Sequence, residues 1–363
     1  MAVPPLWARA AVASLPKFIR TVESSMIRQR KLSAILMKKG RMLFNQTGKH
    51  LNWKAQFRLP PVSGYADLDV ITHSRVNMHK EAELPWRGYI ATDALSRFDE
   101  LTNKGDEAII KVAEQIPKQL MKSMDQYLGE EFYVDGEATG NEKRLHGIES
   151  FMSTSGAYAG GFIGAPNDTY AGLLTTLGNY GGNWSATTYP IGTGDYEYDF
   201  WSPLVIDYTD TAWTAATKTW ANTCREAVRF AITHRMATRS MDEILDLILL
   251  NPELYRLFLE KVDASERVLV QRGQGRTGLL ELGWGDVINY EGVEITSEYG
   301  VPANVGYGWA FGSIELNSLH PTLFFPGGPH WSESERQWRF DIEFIGNMRF
   351  FSPKPFVKFV AIT

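Results

Sequence analysis

The stretch Lys49 to Leu59, KHLNWKAQFRL, decides how this chain reads. Leu51, Trp53, Ala55, Phe57 and Leu59 fall on one side of an extended strand and Asn52, Lys54, Gln56 and Arg58 on the other, a period of two. Pro60-Pro61-Val62-Ser63-Gly64 supplies a turn. ADLDVITH and NMHKEAELPW then run back, with Ala66, Leu68, Val70, Met78, Ala82, Leu84 and Trp86 alternating with polar residues. The chain goes out and returns as a long hairpin. A two-stranded hairpin is marginal in water by itself, so a face carrying Trp53 and Trp86 needs a second surface. That surface is either the hairpin's own domain or a neighbouring subunit.

Beyond the hairpin, DEAIIKVAEQIPKQLMKSMDQYLGEEFYV places Ile109, Val112, Ala113, Ile116, Leu120, Met124, Tyr127 and Leu128 at spacings of three and four, which predicts a helix from Asp106 to Val134. Pro117 lies inside it and predicts a kink, because its nitrogen cannot donate and its ring crowds the preceding turn. Gly136 and Gly140 mark its end. One apolar stripe makes such a helix a strut across a sheet or another subunit. Further on, DLILLNPELYRLFLEKV predicts a buried strand from Ile244 to Leu250, then a helix capped by Asn251 with Pro252 at its first position. TWANTCREAVRFAITHRM predicts a helix that buries Cys224. DVINYEGVEITSEY predicts a hairpin turning at Glu291-Gly292, VPANVGYGWAFGSIELNSL continues in strand, and Trp338, Phe340, Ile342 and Phe344 alternate before a β-rich tail.

The 363 residues are enough for two or three domains, and 44% hydrophobic with 22% charged residues is ordinary for a globular protein. Eleven Trp and 12% aromatics point to large packed or interface surfaces. A lone cysteine, Cys224, excludes an internal disulfide and a cysteine-based zinc cage. No run approaches the roughly 20 apolar residues of a bilayer span. The start, MAVPPLWARAAVASLP, reads as neither signal peptide nor anchor. Net charge is −5, yet Lys17, Arg20, Arg28, Arg30, Lys31, Lys38, Lys39 and Arg41 face only Glu23 across residues 17–41, a local balance of +7 that leaves −12 elsewhere. Such a basic arm suits a polyanion; the competing reading is a solvated amphipathic helix packed through Phe18, Val22, Met26, Ile27, Leu32 and Ile35.

Motifs for catalysis are weak. Gly273-Gln274-Gly275-Arg276-Thr277-Gly278 matches GxGxxG, but the β-type residues and glycines that follow deny it the helix N-terminus a dinucleotide requires, and a loop is expected. Residues 145–217 hold no lysine or arginine and seven acids; in DYEYD, Asp195, Glu197 and Asp199 would share one strand face, where carboxylates could take a cation or act on a glycoside. No histidine pair has HExxH spacing, and neither GxSxG nor GxxxxGK[ST] occurs. Catalytic residues, metal ligands and cofactors are therefore expected to be none.

The order of elements carries a resemblance. A basic N-terminal arm, a long hairpin, a long helix, LHGIESF leading into an α/β region, DLILLNPELY, INYEGVEI followed by VPANVGYG, and a strand-rich return resemble the major capsid proteins of tailed double-stranded DNA bacteriophages. The resemblance implies an α+β chain of the Hong Kong 97-type fold. It would comprise an N-arm (1–45), an extended E-loop hairpin (46–95), a P-domain with the spine helix (96–144), an A-domain (145–319) and C-terminal strands returning to the P-domain (320–363). It implies a structural protein, not an enzyme, that self-assembles as hexamers and pentamers of an icosahedral head and belongs to a virion assembled in the host cytoplasm. Expected partners are other copies of the chain, a separate scaffolding protein, portal and decoration proteins, and packaged double-stranded DNA bound non-specifically; a membrane is not expected. Trp53, Phe57, Arg58, Leu68 and Trp86 would make the intersubunit contact, and Lys17, Arg20, Arg28, Arg30, Lys31, Lys38 and Lys39 would face DNA inside the shell. Lys49, Lys54, Lys80, Asn317 and Asn347 are of the types used in cross-links by some members, but nothing singles them out and no cross-link is expected. Two alternatives remain: an encapsulin-like cargo compartment, and a carbohydrate-binding or carbohydrate-cleaving protein built on residues 145–217.

Overall fold

The computed structural model describes residues 30–56, 60, 62–67, 69–71, 73, 75, 78–102, 106–153, 163–164, 168–175, 201, 203–237, 245–263, 277, 279, 281–282 and 284–362. In chain order, helix α1 (Lys31–Lys38) leads to strands β1 (Met42–Leu43), β2 (His50–Gln56), β3 (His79–Pro85) and β4 (Arg87–Ser96). Helices α2 (Arg97–Thr102) and α3 (Asp106–Glu131) follow, then β5 (Ile163–Gly164), β6 (Thr169–Tyr170), β7 (Leu173–Leu174) and β8 (Leu204–Asp207). Next come α4 (Trp220–Ala237), β9 (Leu247–Leu250), α5 (Pro252–Asp263), β10 (Ile288–Tyr290), β11 (Val293–Ser297), β12 (Gly306–Trp309) and β13 (Ile314–Ser318). The chain closes with β14 (Phe325–Pro326), β15 (His330–Ser332), β16 (Gln337–Phe350) and β17 (Val357–Val360).

Two sheets organise these elements. In the first, six-stranded, β16 is central: β4 pairs along Gln337 to Gly346, while β13, β14 and β15 pair with it and β1 adds parallel to β13. The alternation of β16 buries Phe340, Ile342 and Phe344 on the face that meets α3. From Ile116 onward α3 answers with Ile116, Leu120, Met121, Met124 and Leu128, all buried at helical spacing, and it runs through Pro117 before ending at Glu131, three residues short of the expected Val134.

The second sheet has seven strands in the order β10-β11-β9-β12-β17-β8-β5. It is covered on both faces. Ile248 and Leu250 of β9 face the core under α4 and α5, while Leu247 and Leu249 join the larger core shared with the first sheet. Two-sided burial explains the unbroken apolar run LILL. Asn251 caps α5 as expected, accepting the Glu253 N–H at 3.1 Å, and the β10–β11 turn does fall at Glu291-Gly292, both at positive φ.

Three larger assignments also differ from the sequence reading. Residues 87–95, assigned to the hairpin, form β4 of the six-stranded sheet, since their inward side chains Tyr89 and Ala91 find α3 and β16. The run from Val301 to Leu319 is not one strand: β12 lies in the second sheet and β13 in the first, with a 3-10 turn at Phe311–Ser313 between them. The C-terminal strands also divide, because β17 pairs with β12 and β8 in the second sheet.

The end of α3 is tied to both β4 and the following loop by one carboxylate. Glu131, fully buried, accepts Arg144 Nε at 2.9 Å and Nη2 at 2.5 Å on one oxygen, and Tyr89 OH at 2.7 Å and Leu145 N–H at 3.3 Å on the other. A negative charge at a helix C-terminus opposes the helix dipole, so Arg144 is the group that makes it tolerable. Loss of water, then the Glu131 bond, pushes the Tyr89 hydroxyl well above its ordinary range, leaving it a donor at any physiological pH. Glu131→Ala strands these donors, and urea unfolding should register a loss of about 3 kcal/mol.

Candidate intersubunit surface

The root of the hairpin is built by β2 and β3, paired from His50↔Pro85 to Gln56↔His79. Leu51, Ala55, Ala82 and Leu84 are buried, and the polar residues between them face outward. Burying two leucines contributes roughly 3 to 6 kcal/mol, enough to hold this root on its own body. Trp53 is half-buried there: its indole N–H donates to the Phe351 carbonyl at 3.2 Å, its ring lies 6.3 Å from that of Tyr170, and Arg349 stands over it at 6.0 Å. Trp86 donates to Gly48 O at 3.0 Å within the hairpin. Of the two surfaces the sequence left open for this face, the hairpin's own body supplies part for Trp53, through Tyr170 and the Phe351 carbonyl, while Trp86 bonds within the hairpin.

What remains uncovered lies farther out. Val62 is 96% exposed and Val70 90%, with Tyr65 and Ile71 also exposed. Phe57, Arg58 and Leu68 lie outside the described residues.

The basic arm also differs from expectation. Lys17, Arg20 and Arg28 lie outside the described residues, but Arg30 and Lys31 are buried and committed to internal partners. Lys31 Nζ meets Asp286 at 2.5 Å, Thr296 Oγ1 at 2.7 Å and the Ser297 carbonyl at 2.7 Å. Arg30 donates to the carbonyls of Tyr299 and Gln126, passing so close to Gly129 that a Cβ there would sit 2.5 Å from its Nε. Lys38 pairs with Glu281, and Lys39 with Asp246 at 3.4 Å. A DNA-facing role for Arg30 and Lys31 is thus corrected: an ammonium desolvated among protein oxygens has no lone pair or phosphate left to seek.

Glu298, which the sequence reading missed, completes this anchor. Helix α1 has no capping side chain of its own, and the Glu298 carboxylate accepts the Leu32 N–H at 3.3 Å and the Tyr133 hydroxyl at 3.0 Å. Burial pushes Glu298 up to about 7, while Tyr133, Arg30 and the Leu32 N–H act in the opposite sense. No local sequence signal marks a cap supplied from so far along the chain.

Asn317 and Asn347 are fully buried, and Asn347 is bonded to Pro85 O and the His146 ring, so neither presents its amide at the surface. Asp195, Glu197, Asp199 and Gly273 to Arg276 lie outside the described residues. Among the described residues, no group of three or more His, Cys, Asp or Glu stands where it could hold a metal ion, and no helix is long and apolar enough to cross a membrane.

No protein-family model and no curated protein sequence matches the chain. Its fold, however, is shared with capsid structures. It aligns with the capsid asymmetric unit of cyanophage A-1(L) over 88% of this chain and 90% of that one, at a TM-score of 0.54 and 14% identity. The capsid of a native GTA particle aligns over 90% of both chains at a TM-score of 0.54 and 8% identity. The mature capsid of bacteriophage PhiM1 aligns over 89% of this chain and 86% of that one, at 0.51 and 10%. The chain therefore has a mixed helix and sheet fold with phage capsid proteins as structural neighbours.

The two parts of the basic arm should separate in a stability measurement. Lys31→Ala should cost about 2 kcal/mol or more in urea unfolding, because it removes the buried bonds to Asp286, Thr296 and the Ser297 carbonyl. Lys38→Ala, at the surface, should stay within about 0.5 kcal/mol of the parent.

Proposed function

We propose that this chain is the major capsid protein of a tailed double-stranded DNA bacteriophage, a structural subunit of the Hong Kong 97-type fold that assembles as hexamers and pentamers of an icosahedral head. The observation that carries the reading is the fold likeness to capsid chains over about nine-tenths of this chain and of theirs. On this reading β2, β3 and the residues between them are the E-loop, α3 is the spine helix, the six-stranded sheet is the P-domain and the seven-stranded sheet is the A-domain. The subunit acts through contact and not through catalysis. Its partners are other copies of itself, a separate scaffolding protein, portal and decoration proteins, and packaged DNA held without sequence preference; its place is the virion, after assembly in the host cytoplasm.

On this reading the outer part of the hairpin makes the contact with a neighbouring subunit. With Trp53 and Trp86 occupied at the root, the exposed apolar residues Val62, Tyr65, Val70 and Ile71 are the ones left for a neighbouring subunit. Single exposed apolar residues are ordinary, but four within ten positions offer apolar area that a neighbouring subunit could cover. Lys17, Arg20 and Arg28 of the arm, outside the described residues, are the candidates for contact with DNA.

Electron microscopy of the purified chain, alone and with its scaffolding protein, tests the reading: closed shells are expected, and a persistent compact monomer under both conditions overturns it. Replacing Leu59 to Asn77 by a short Gly-Ser turn should leave a folded body, seen by circular dichroism and a cooperative melt, that no longer closes shells.

A further inference from the structure

Arg30 is threaded through a gap that two glycines keep open. Its guanidinium donates to the Gln126 carbonyl of α3 at 3.2 Å on one side and to the Tyr299 carbonyl, in the loop between β11 and β12, on the other, and it lies 5.2 Å from the centre of the Tyr299 ring. A Cβ at Gly129 of α3 would sit 2.5 Å from Arg30 Nε, and one at Gly300 would sit 2.9 Å from Nη1 and 3.5 Å from the Gly129 carbonyl oxygen. Gly300 has a φ of +109°, which favours glycine whatever lies beside it. Gly129 has no such reason: it lies inside a helix, where alanine is the better residue. The missing side chain there answers to Arg30.

Two buried carboxylates depend on the same charge. Asp125, one turn before Gly129 on α3, is buried, and among the described residues its Oδ1 has no hydrogen-bond partner. Loss of water pushes its carboxyl up to about 6, and the charge of Arg30 opposes that rise. Arg30 acts in the same sense on Glu298, whose carboxylate caps α1 through the Leu32 N–H at 3.3 Å. One fork therefore serves α3, the loop after β11 and two carboxylates at once. Bridging two carbonyls in this way suits a planar guanidinium and not a compact ammonium.

We propose that Arg30 is a keyed latch, a side chain whose lock is the gap between Gly129 and Gly300, and that it seats α1 and positions the chain that enters it. Helix α1 has little hold of its own: it has eight residues and no side-chain cap, well below the length at which an isolated helix persists in water. Its residues Leu32, Ile35 and Leu36 are buried, but apolar burial has no direction, whereas two carbonyls approached through a narrow gap do. The latch also joins the long helix to the seven-stranded sheet, since Gln126 belongs to the first and the Tyr299 loop connects two strands of the second. On the capsid reading, on which this one step rests, it sets the place from which residues 1–29, with Lys17, Arg20 and Arg28, leave the body. The latch itself belongs to the folded subunit and is tested without assembly.

Urea unfolding of the full-length chain in a double-mutant cycle reads the latch. In the parent, Gly129→Ala should raise the unfolding equilibrium constant about tenfold or more, because the arginine is pushed off two carbonyls. In the Arg30→Ala background the same change should lower it about threefold, the ordinary gain of alanine over glycine in a helix. A sign that reverses with Arg30 is the signature of the lock. Hydrogen exchange gives a second reading: in Arg30→Ala the Leu32 amide should lose about tenfold more protection than that of Phe344 in β16. A Gly129→Ala chain that fails to fold alone but folds together with Arg30→Ala supports the latch equally. Destabilisation by Gly129→Ala in both backgrounds, a gain in both, or an equal fall at Leu32 and Phe344 in Arg30→Ala would each overturn the proposal.

Discussion

Ten consecutive residues of β4 pair with ten of β16, from Arg87↔Gly346 to Ser96↔Gln337. This ladder joins the first quarter of the chain to its last tenth, and most other elements are placed by it. The hairpin enters β4 through Trp86, the long helix leaves it through α2, and β13, β14 and β15 line up on the opposite edge of β16. Closing so long a loop costs conformational entropy that only the completed sheet and its packing on α3 repay. The Glu131 carboxylate reinforces the same junction by binding Tyr89 of β4 and Arg144 beyond the helix.

A second consequence follows for the two sheets. The chain crosses from the seven-stranded to the six-stranded sheet between Trp309 and Ile314, and crosses back between Phe350 and Val357. Aromatic rings fill the seam where these crossings run. Phe350 lies 5.1 Å from Phe356, 4.8 Å from Phe151 and 6.4 Å from Trp309, mostly edge to face. Such contacts add to the burial of rings that already dominate the core. The two sheets therefore share one hydrophobic cluster and resist moving apart.

Much of this was legible because periodicity is a local property. The hairpin root shows alternation, α3 shows spacings of three and four, and Asn251-Pro252 marks the start of α5 by capping chemistry that needs no distant partner. Destinations were not legible. Lys31 reads as one more charge in a basic arm, and nothing nearby says that Asp286, Thr296 and Ser297 wait for it. Whether the Trp53 face finds its cover at home or next door is likewise decided by Tyr170 and Phe351, far along the chain. Ala171 is the extreme case: alanine carries no sequence signal for positive φ, so a turn that depends on one is invisible until the backbone is seen.

The contrast between body and arm bears on how a subunit of this shape could meet its copies. Two sheets tied by paired crossings, by a shared aromatic seam and by the buried Lys31 and Arg30 anchors form a body with little freedom to deform. Val62, Tyr65, Val70 and Ile71, between the two hairpin strands, hold exposed apolar side chains, as do Phe98 and Tyr299 elsewhere. The Ala171 turn adds a further tie between the hairpin root and that body, through the Glu83 N–H and the Glu137 carboxyl. If copies meet through the hairpin, as proposed, folding of the body and contact between copies are energetically separable. Under the proposed capsid reading, a root satisfied by its own core would let the chain fold before it meets its copies.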